Sequence, residues 1–110
     1  MRLKIGHFRY TVRGMGDEEA EERACCGICF CESQVIGIWT GQSPASQADT
    51  LLHEIMHAVI HTFGYLHADA TMSEEDICTR MSPGLCMVLR DNPKLAPLLM
   101  NALCFNQPIV

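Results

Sequence analysis

The residues best suited to chemistry stand together in the stretch LLHEIMHAVIHTFGYLH, numbers 51 to 67, which holds four of the chain's five histidines. Two metal-binding spacings overlap within it. The first is His53-Glu54-x-x-His57, and the second runs from His57 through His61 to His67 as His-x-x-x-His-x-x-Gly-x-x-His. Either spacing can hold a divalent cation, and the two differ in which residues would carry the chemistry.

The first spacing suits hydrolysis. On a helix, His53 and His57 stand one turn apart with Cβ atoms about 5–6 Å apart, so both imidazoles can reach one ion. Glu54 is rotated by about 100° around the helix axis, which leaves it able to hold the water that the ion activates. Zinc bound by neutral imidazoles lowers the pKa of its water toward about 7, and a nearby carboxylate can take the proton. We therefore expect zinc ligands at His53 and His57 and a general base at Glu54.

The second spacing has the histidines of the metzincin signature, but Ala58 stands where that family has its catalytic glutamate. It also resembles the histidine triad of a bacterial RNA-maturation endoribonuclease family, with Leu66 where that signature has an aspartate. The resemblance implies an alternative function, metal-dependent RNA cleavage through His57, His61 and His67. That alternative makes His53 dispensable, whereas the first spacing requires it.

The candidate ligands need a helix, and the flanking sequence predicts one from Pro44 to Phe63. Ser43 can cap its start, and proline suits the first helical position because no N–H is needed there. Gly64 is the expected left-handed terminator. Apolar residues recur at intervals of three and four and predict a broad buried face. The residues of this face are Ala48, Leu51, Leu52, Ile55, Met56, Val59, Ile60 and Phe63.

A small sheet is predicted before this helix. Residues 3 to 13 alternate apolar and polar and predict one strand, and residues 16 to 23 lack an apolar face and predict a solvated loop or a short exposed helical turn. CGICFC and QVIGIWT predict a hairpin joined at Glu32 and Ser33. The sequence therefore predicts three strands that pack on the helix.

Two further helices are predicted after it. Ser73 and Asp76 have the spacing of a capping box, and Pro83 within the following helix predicts a kink or a break. The stretch DNPKLAPLLMNALCF predicts a short last helix, with Asn92 as its cap and its end at about Leu103.

Length and composition indicate the number of domains and the classes of partner. The 110 residues, 48% hydrophobic and 19% charged, predict a single domain over 1–110. The net charge of −5, without a basic stripe, argues against nucleic acid as a partner, and no apolar run approaches the roughly 20 residues that cross a bilayer. No export signal is evident, so we expect a cytoplasmic protein with reduced cysteines. Cys78, Cys86 and Cys104 are predicted at buried helical positions.

TLLHEIMHAVIHTFGY, followed by SEEDICTRMSPGLCMVLRDNP, resembles the small zincin-like metallopeptidases of phages and prophages, distantly similar to the ImmA/IrrE peptidases. The resemblance covers residues 35 to 93. It implies an α+β zincin-like fold and a third zinc ligand from a glutamate at the start of the next helix. Glu75 matches that position best, and Glu74 is the alternative. The positive end of the helix dipole there favours an ionised carboxylate.

We therefore expect zinc-dependent hydrolysis of a peptide or protein substrate, with His53, His57 and Glu75 as ligands and Glu54 as base. An extended substrate is predicted to add to the sheet edge at the QVIGIWT strand. The competing hypothesis is a binding module that keeps the zincin scaffold and acts by occupying a host protein without catalysis.

Overall fold

The structure, a computed structural model, describes residues 1–63 and 73–110. These residues form an α+β fold with a four-stranded mixed sheet and four helices. The strands are β1 (Arg2–Ile5), β2 (Phe8–Met15), β3 (Gly27–Phe30) and β4 (Val35–Trp39). The helices are α1 (Asp17–Arg23), α2 (Pro44–Phe63), α3 (Glu74–Asp91) and α4 (Leu95–Phe105).

The stretch predicted as one first strand is a hairpin, so the prediction of three strands was wrong by one. The chain turns between Ile5 and Phe8, where Gly6 has a φ of +63°, a left-handed conformation that glycine adopts without steric cost. Leu3 then pairs with Tyr10 across the hairpin. The alternation shifts by one residue at this turn, since Leu3 and Ile5 are buried before it and Tyr10 and Val12 after it, so that paired residues share one face of the sheet.

The sheet has the order β1-β2-β4-β3, with β2 and β4 parallel and the other two pairs antiparallel. The hairpin of β3 and β4 confirms the sequence prediction, but QVIGIWT is not an edge strand. Ile36, Gly37 and Ile38 are all buried, which is the pattern of a strand covered on both faces. The sheet edge on this side belongs to β3.

Helix α2 has the predicted bounds, and the hydroxyl of Ser43 accepts a hydrogen bond from the Ser46 backbone N–H at 3.3 Å. The predicted terminator, Gly64, lies outside the described residues. The helix packs on the sheet, although its buried face is narrower than predicted because Leu52 and Met56 remain 38% and 41% exposed. The core combines the inner face of the sheet with α2. Its largest residues include Ile5, Tyr10, Ile36, Ile38, Leu51, Ile55 and Val59.

Helix α3 begins with the predicted capping box: the Ser73 hydroxyl accepts from the Asp76 N–H, and the Asp76 carboxylate accepts from the Ser73 N–H, both at 3.1 Å. Of the kink or break predicted near Ser82, the break is absent, since α3 is helical throughout. Pro83 lies on the exposed side, where water can bond the carbonyl that proline leaves unpaired. Its neighbour Gly84 lies against Val59 of α2, with no room for a Cβ.

Helix α4 begins at Leu95, later than predicted, because Asn92 is used elsewhere. The Asn92 side chain accepts from the Lys4 backbone N–H at 2.8 Å and donates to the Lys4 carbonyl at 2.7 Å. It also donates to the Val88 carbonyl of α3 at 2.8 Å. Asn92 therefore binds the outer edge of β1 in place of a neighbouring strand and links it to α3.

The outer surface of the helices also differs from the sequence-based picture. Cys78, Cys86 and Cys104 are exposed, so their predicted burial was wrong. Helical spacing alone does not distinguish residues at the centre of a buried helix face from residues at its exposed margin. Among the described helices, none combines the length and the apolar character that a bilayer crossing requires.

Candidate metal centre and active site

Helix α2 brings the first two predicted ligands together. The Nε2 atoms of His53 and His57 lie 3.1 Å apart, and the two rings meet edge to face, with centroids 4.8 Å apart and planes at 68°. Both side chains are exposed toward one cavity. The arrangement follows from their spacing of four residues, which places them on adjacent turns of one helix face.

The separation of these two nitrogens fits a shared cation. Two ligands at about 2.0–2.1 Å on a tetrahedral zinc would lie roughly 3.3 Å apart, close to the separation observed. At 3.1 Å, two neutral imidazole nitrogens share either an N–H···N hydrogen bond or a cation, because two facing lone pairs repel each other. The pair therefore suits a divalent ion in donor type and in spacing.

Glu54 lies between α2 and the edge strand β3 and is only 6% exposed. A Cβ at Gly27 of β3 would stand 3.0 Å from the Glu54 Oε1 atom and 3.2 Å from its Cγ, so the strand approaches the carboxylate closely because it has a glycine there. Burial raises the pKa of Glu54, and the nearby charges of His53 and His57 partly oppose that shift. No described residue donates a hydrogen bond to this carboxylate.

Two hollows flank Gly27 along the free edge of β3. The larger has a volume of about 560 Å³ and the smaller about 280 Å³, and both are lined by Gly27, His53 and Glu54. The larger is completed by Ile28, Cys29, Cys31, His57, Ile60 and His61. The smaller is completed by Cys25, Cys26, Asp49 and Thr50. His53 and Glu54 therefore line both hollows and His57 lines the larger one, beside the edge of β3 that pairs with no other described strand.

The predicted third ligand is placed apart from this centre. Glu75 is exposed in the first turn of α3, where its carboxylate faces the Thr79 hydroxyl at 3.5 Å. Over residues 1–63 and 73–110, no three His, Cys, Asp or Glu side chains are grouped to hold one ion, so neither Glu75 nor Glu74 joins the imidazole pair. Helix α3 meets α2 at Gly84, nine residues and about 13 Å along the helix from Glu75.

The second histidine spacing is described only in part. His61 lines the larger hollow beyond His57. His67 lies outside the described residues. The triad of His57, His61 and His67 therefore stays a prediction.

Two features of the site were missed from the sequence. Gly27 at the start of a strand is a recognised sign of close backbone approach, and here the group that approaches is Glu54. Cys29 and Cys31 also line the larger hollow, and their position in its wall depends on the strand order. Strand order is a tertiary property, which alternation along one strand does not reveal.

Compared with protein-family models, with curated proteins and with solved structures, the chain matches none.

Proposed function

We propose that the protein is a zinc-dependent peptide hydrolase of the zincin type, in which His53 and His57 hold the ion and Glu54 is the general base. The observation that supports this most directly is the convergence of the two Nε2 atoms, 3.1 Å apart, beside a buried carboxylate. A helix packed against a sheet with a free edge strand beside the site is compatible with a zincin-like fold.

Zinc, when bound, supplies a Lewis acid that acidifies water and polarises the carbonyl oxygen of the peptide. Glu54 provides the proton transfers. Burial raises its pKa, so its carboxylate is a stronger base than one in water, and it can take a proton from the water and deliver it to the leaving amine. Since no described residue donates to it, its oxygens are available for these transfers.

The free edge of β3 gives an extended peptide a place to bind. A peptide strand can pair with backbone groups of Gly27–Phe30 on the side away from β4 and would then pass both hollows. This position replaces the edge predicted at β4. The scissile bond would lie next to Gly27, where the two hollows and Glu54 meet. The partner is accordingly an unfolded or loop segment of a peptide or protein.

Zinc binding and peptide cleavage by single variants test the proposal. His53→Ala and His57→Ala are expected to lose zinc, because each leaves a single imidazole at the centre, whereas His61→Ala is the matched control on the next turn and should retain it. Glu54→Gln is expected to keep zinc and to lose cleavage of a peptide mixture followed by mass spectrometry.

Other outcomes would favour the competing hypotheses. Full zinc binding by His53→Ala, with loss on His67→Ala, would contradict the proposal and favour the endoribonuclease spacing. Full biological activity of Glu54→Gln would favour the binding module, since a protein that acts by occupation has no need of a base.

The third ligand is tested separately. We propose that Glu75 completes the zinc site when the first turn of α3 approaches α2. Glu75→Gln is then expected to weaken zinc binding at least tenfold, and Glu74→Gln, its neighbour in the same exposed turn, is the control. Equal zinc affinity in both variants would exclude Glu75, and loss only in Glu74→Gln would assign the ligand to Glu74.

A further inference from the structure

Two thiols face each other in the wall of the larger hollow. The Sγ atoms of Cys29 and Cys31 lie 3.4 Å apart. Among the residues that the structure describes, which include all seven cysteines, no other two sulfurs are in hydrogen-bonding contact. Both side chains are half-buried and line the same hollow as His57 and Glu54. The pair is therefore within reach of small molecules that enter the hollow.

The hydroxyl of Tyr10 lies beside this pair and is fully buried. This hydroxyl makes no hydrogen bond of acceptable geometry with any described group. Its polar neighbours are the Cys31 thiol and Thr62. Burial raises the pKa of Tyr10, and the two thiols raise it further. A buried donor without a partner is unusual in a native protein. The Tyr10 hydroxyl can therefore donate a hydrogen bond to a neighbouring sulfur that becomes a thiolate.

We propose that Cys29 and Cys31 form a reversible redox-modification site in the wall of this hollow, which a small-molecule disulfide converts from two thiols to one disulfide. The proposal concerns these sulfurs alone and does not depend on the hydrolase activity.

The exchange begins at Cys31. Burial raises the pKa of the Cys29 thiol, so that less of it is present as the nucleophilic thiolate. The Cys31 thiolate attacks one sulfur of the small disulfide, forms a mixed disulfide and releases one thiolate. The Cys29 thiolate then attacks the Cys31 sulfur and releases the second. The two protein thiols are oxidised, the small disulfide is reduced to two thiols, and their two protons pass to the released thiolates.

The geometry favours closure of this pair. The sulfurs must approach from 3.4 Å to about 2.05 Å, a movement that side-chain rotation at the end of β3 can provide. A ring closed across only one intervening residue is strained, and strained disulfides are easily reduced again. Oxidation would draw Cys31, in the turn after β3, toward Cys29 and change the wall of the hollow and the strand edge beside it.

The test equilibrates the full-length protein with glutathione at several ratios of disulfide to thiol, followed by acid quenching, alkylation and peptide mapping. A Cys29–Cys31 cross-link that appears with oxidation and disappears on return to reduced glutathione is expected. Cys29→Ser should instead retain glutathione on Cys31, because the resolving thiol is absent. The double variant Cys25→Ser/Cys26→Ser is the matched control and should form the cross-link as the wild type does.

Three results would overturn the proposal. One is the absence of the cross-link at every ratio, the second is glutathione held on both sulfurs of the wild-type protein, and the third is a cross-link that needs Cys25 or Cys26. None of these measurements involves zinc or peptide cleavage, so failure of the hydrolase proposal would leave this result unaffected.

Discussion

Replacement of Gly27 by alanine tests the close approach of β3 to Glu54. A Cβ at this position would collide with the Thr50 Cγ2 atom and would stand 3.0 Å from the Glu54 Oε1 atom, whereas ordinary contacts begin at 3.4 Å. The backbone at Gly27 accepts alanine, because its φ is not positive. Among the glycines that the structure describes, only Gly6 has a positive φ. The main strain of the substitution is therefore expected from the contacts with Thr50 and Glu54.

The expected size of the effect follows from the two contacts. Overpacking of one methyl group costs about 1–3 kcal/mol, and the collision with Thr50 places Gly27→Ala near the upper end of that range. Relief by movement of the Glu54 side chain displaces the proposed base. A displacement of about 1 Å can lower turnover roughly 100-fold. Zinc binding should be unaffected, because the atoms nearest to the added methyl group belong to Thr50 and Glu54 and not to either imidazole.

Chemical denaturation and peptide cleavage measure these effects, with two controls. Thr50→Ser removes the colliding methyl group and keeps the hydroxyl that donates to the Gln42 side chain at 2.8 Å, so Gly27→Ala should cost less stability in that background. Gly16→Ala adds a methyl group with no atom within 4 Å and should stay within about 1 kcal/mol of wild type. Unchanged stability and turnover in Gly27→Ala would refute the proposed packing of β3 on Glu54.

Three further predictions concern the surroundings of the site. Tyr10→Phe is expected to raise the free energy of unfolding by about 1 kcal/mol in urea denaturation, because it removes a buried hydroxyl that has no hydrogen-bond partner among the described residues; a loss of stability would contradict this. Asn92→Ala is expected to lower it by about 2 kcal/mol, since both hydrogen bonds to the Lys4 backbone disappear, and an unchanged midpoint would exclude that role. Two hydrogen bonds from Arg13, at 2.6 and 2.9 Å, lower the pKa of Glu19 to about 2 from its usual 4.5, so the stability that this pair contributes should be present above pH 4.5 and lost as the pH falls toward 2. NMR titration should show the Glu19 pKa rising toward 4.5 in Arg13→Ala, and an unshifted pKa would contradict the assignment.

Local signals in the sequence were enough to place the central helix. Ser43 and Pro44 predicted where α2 begins, and the spacing of His53 and His57 predicted that their imidazoles would stand on neighbouring turns of one helix face. These features depend on residues within one or two turns of each other, where backbone geometry decides the outcome. The capping box at Ser73 was predicted correctly for the same reason.

Features that depend on distant parts of the chain were predicted less well. Asn92 was interpreted as a helix cap, but it binds Lys4, a residue 88 positions away in the sequence. The strand edge was predicted at β4, which the sheet order places in the interior, between β2 and β3. The proposed ligation by Glu75 also requires two helices to approach each other, and spacing within either helix does not determine that distance.

The most direct test of the central claim is X-ray absorption spectroscopy of the purified protein loaded with one equivalent of zinc, compared with His53→Ala and His57→Ala. Two imidazole nitrogens at about 2.0–2.1 Å from the metal are expected in the wild type, whereas neither variant should retain zinc in such an environment, because a single imidazole remains at the centre. A zinc environment without imidazole, or one that is the same in all three proteins, would contradict the claim that these two side chains hold the ion.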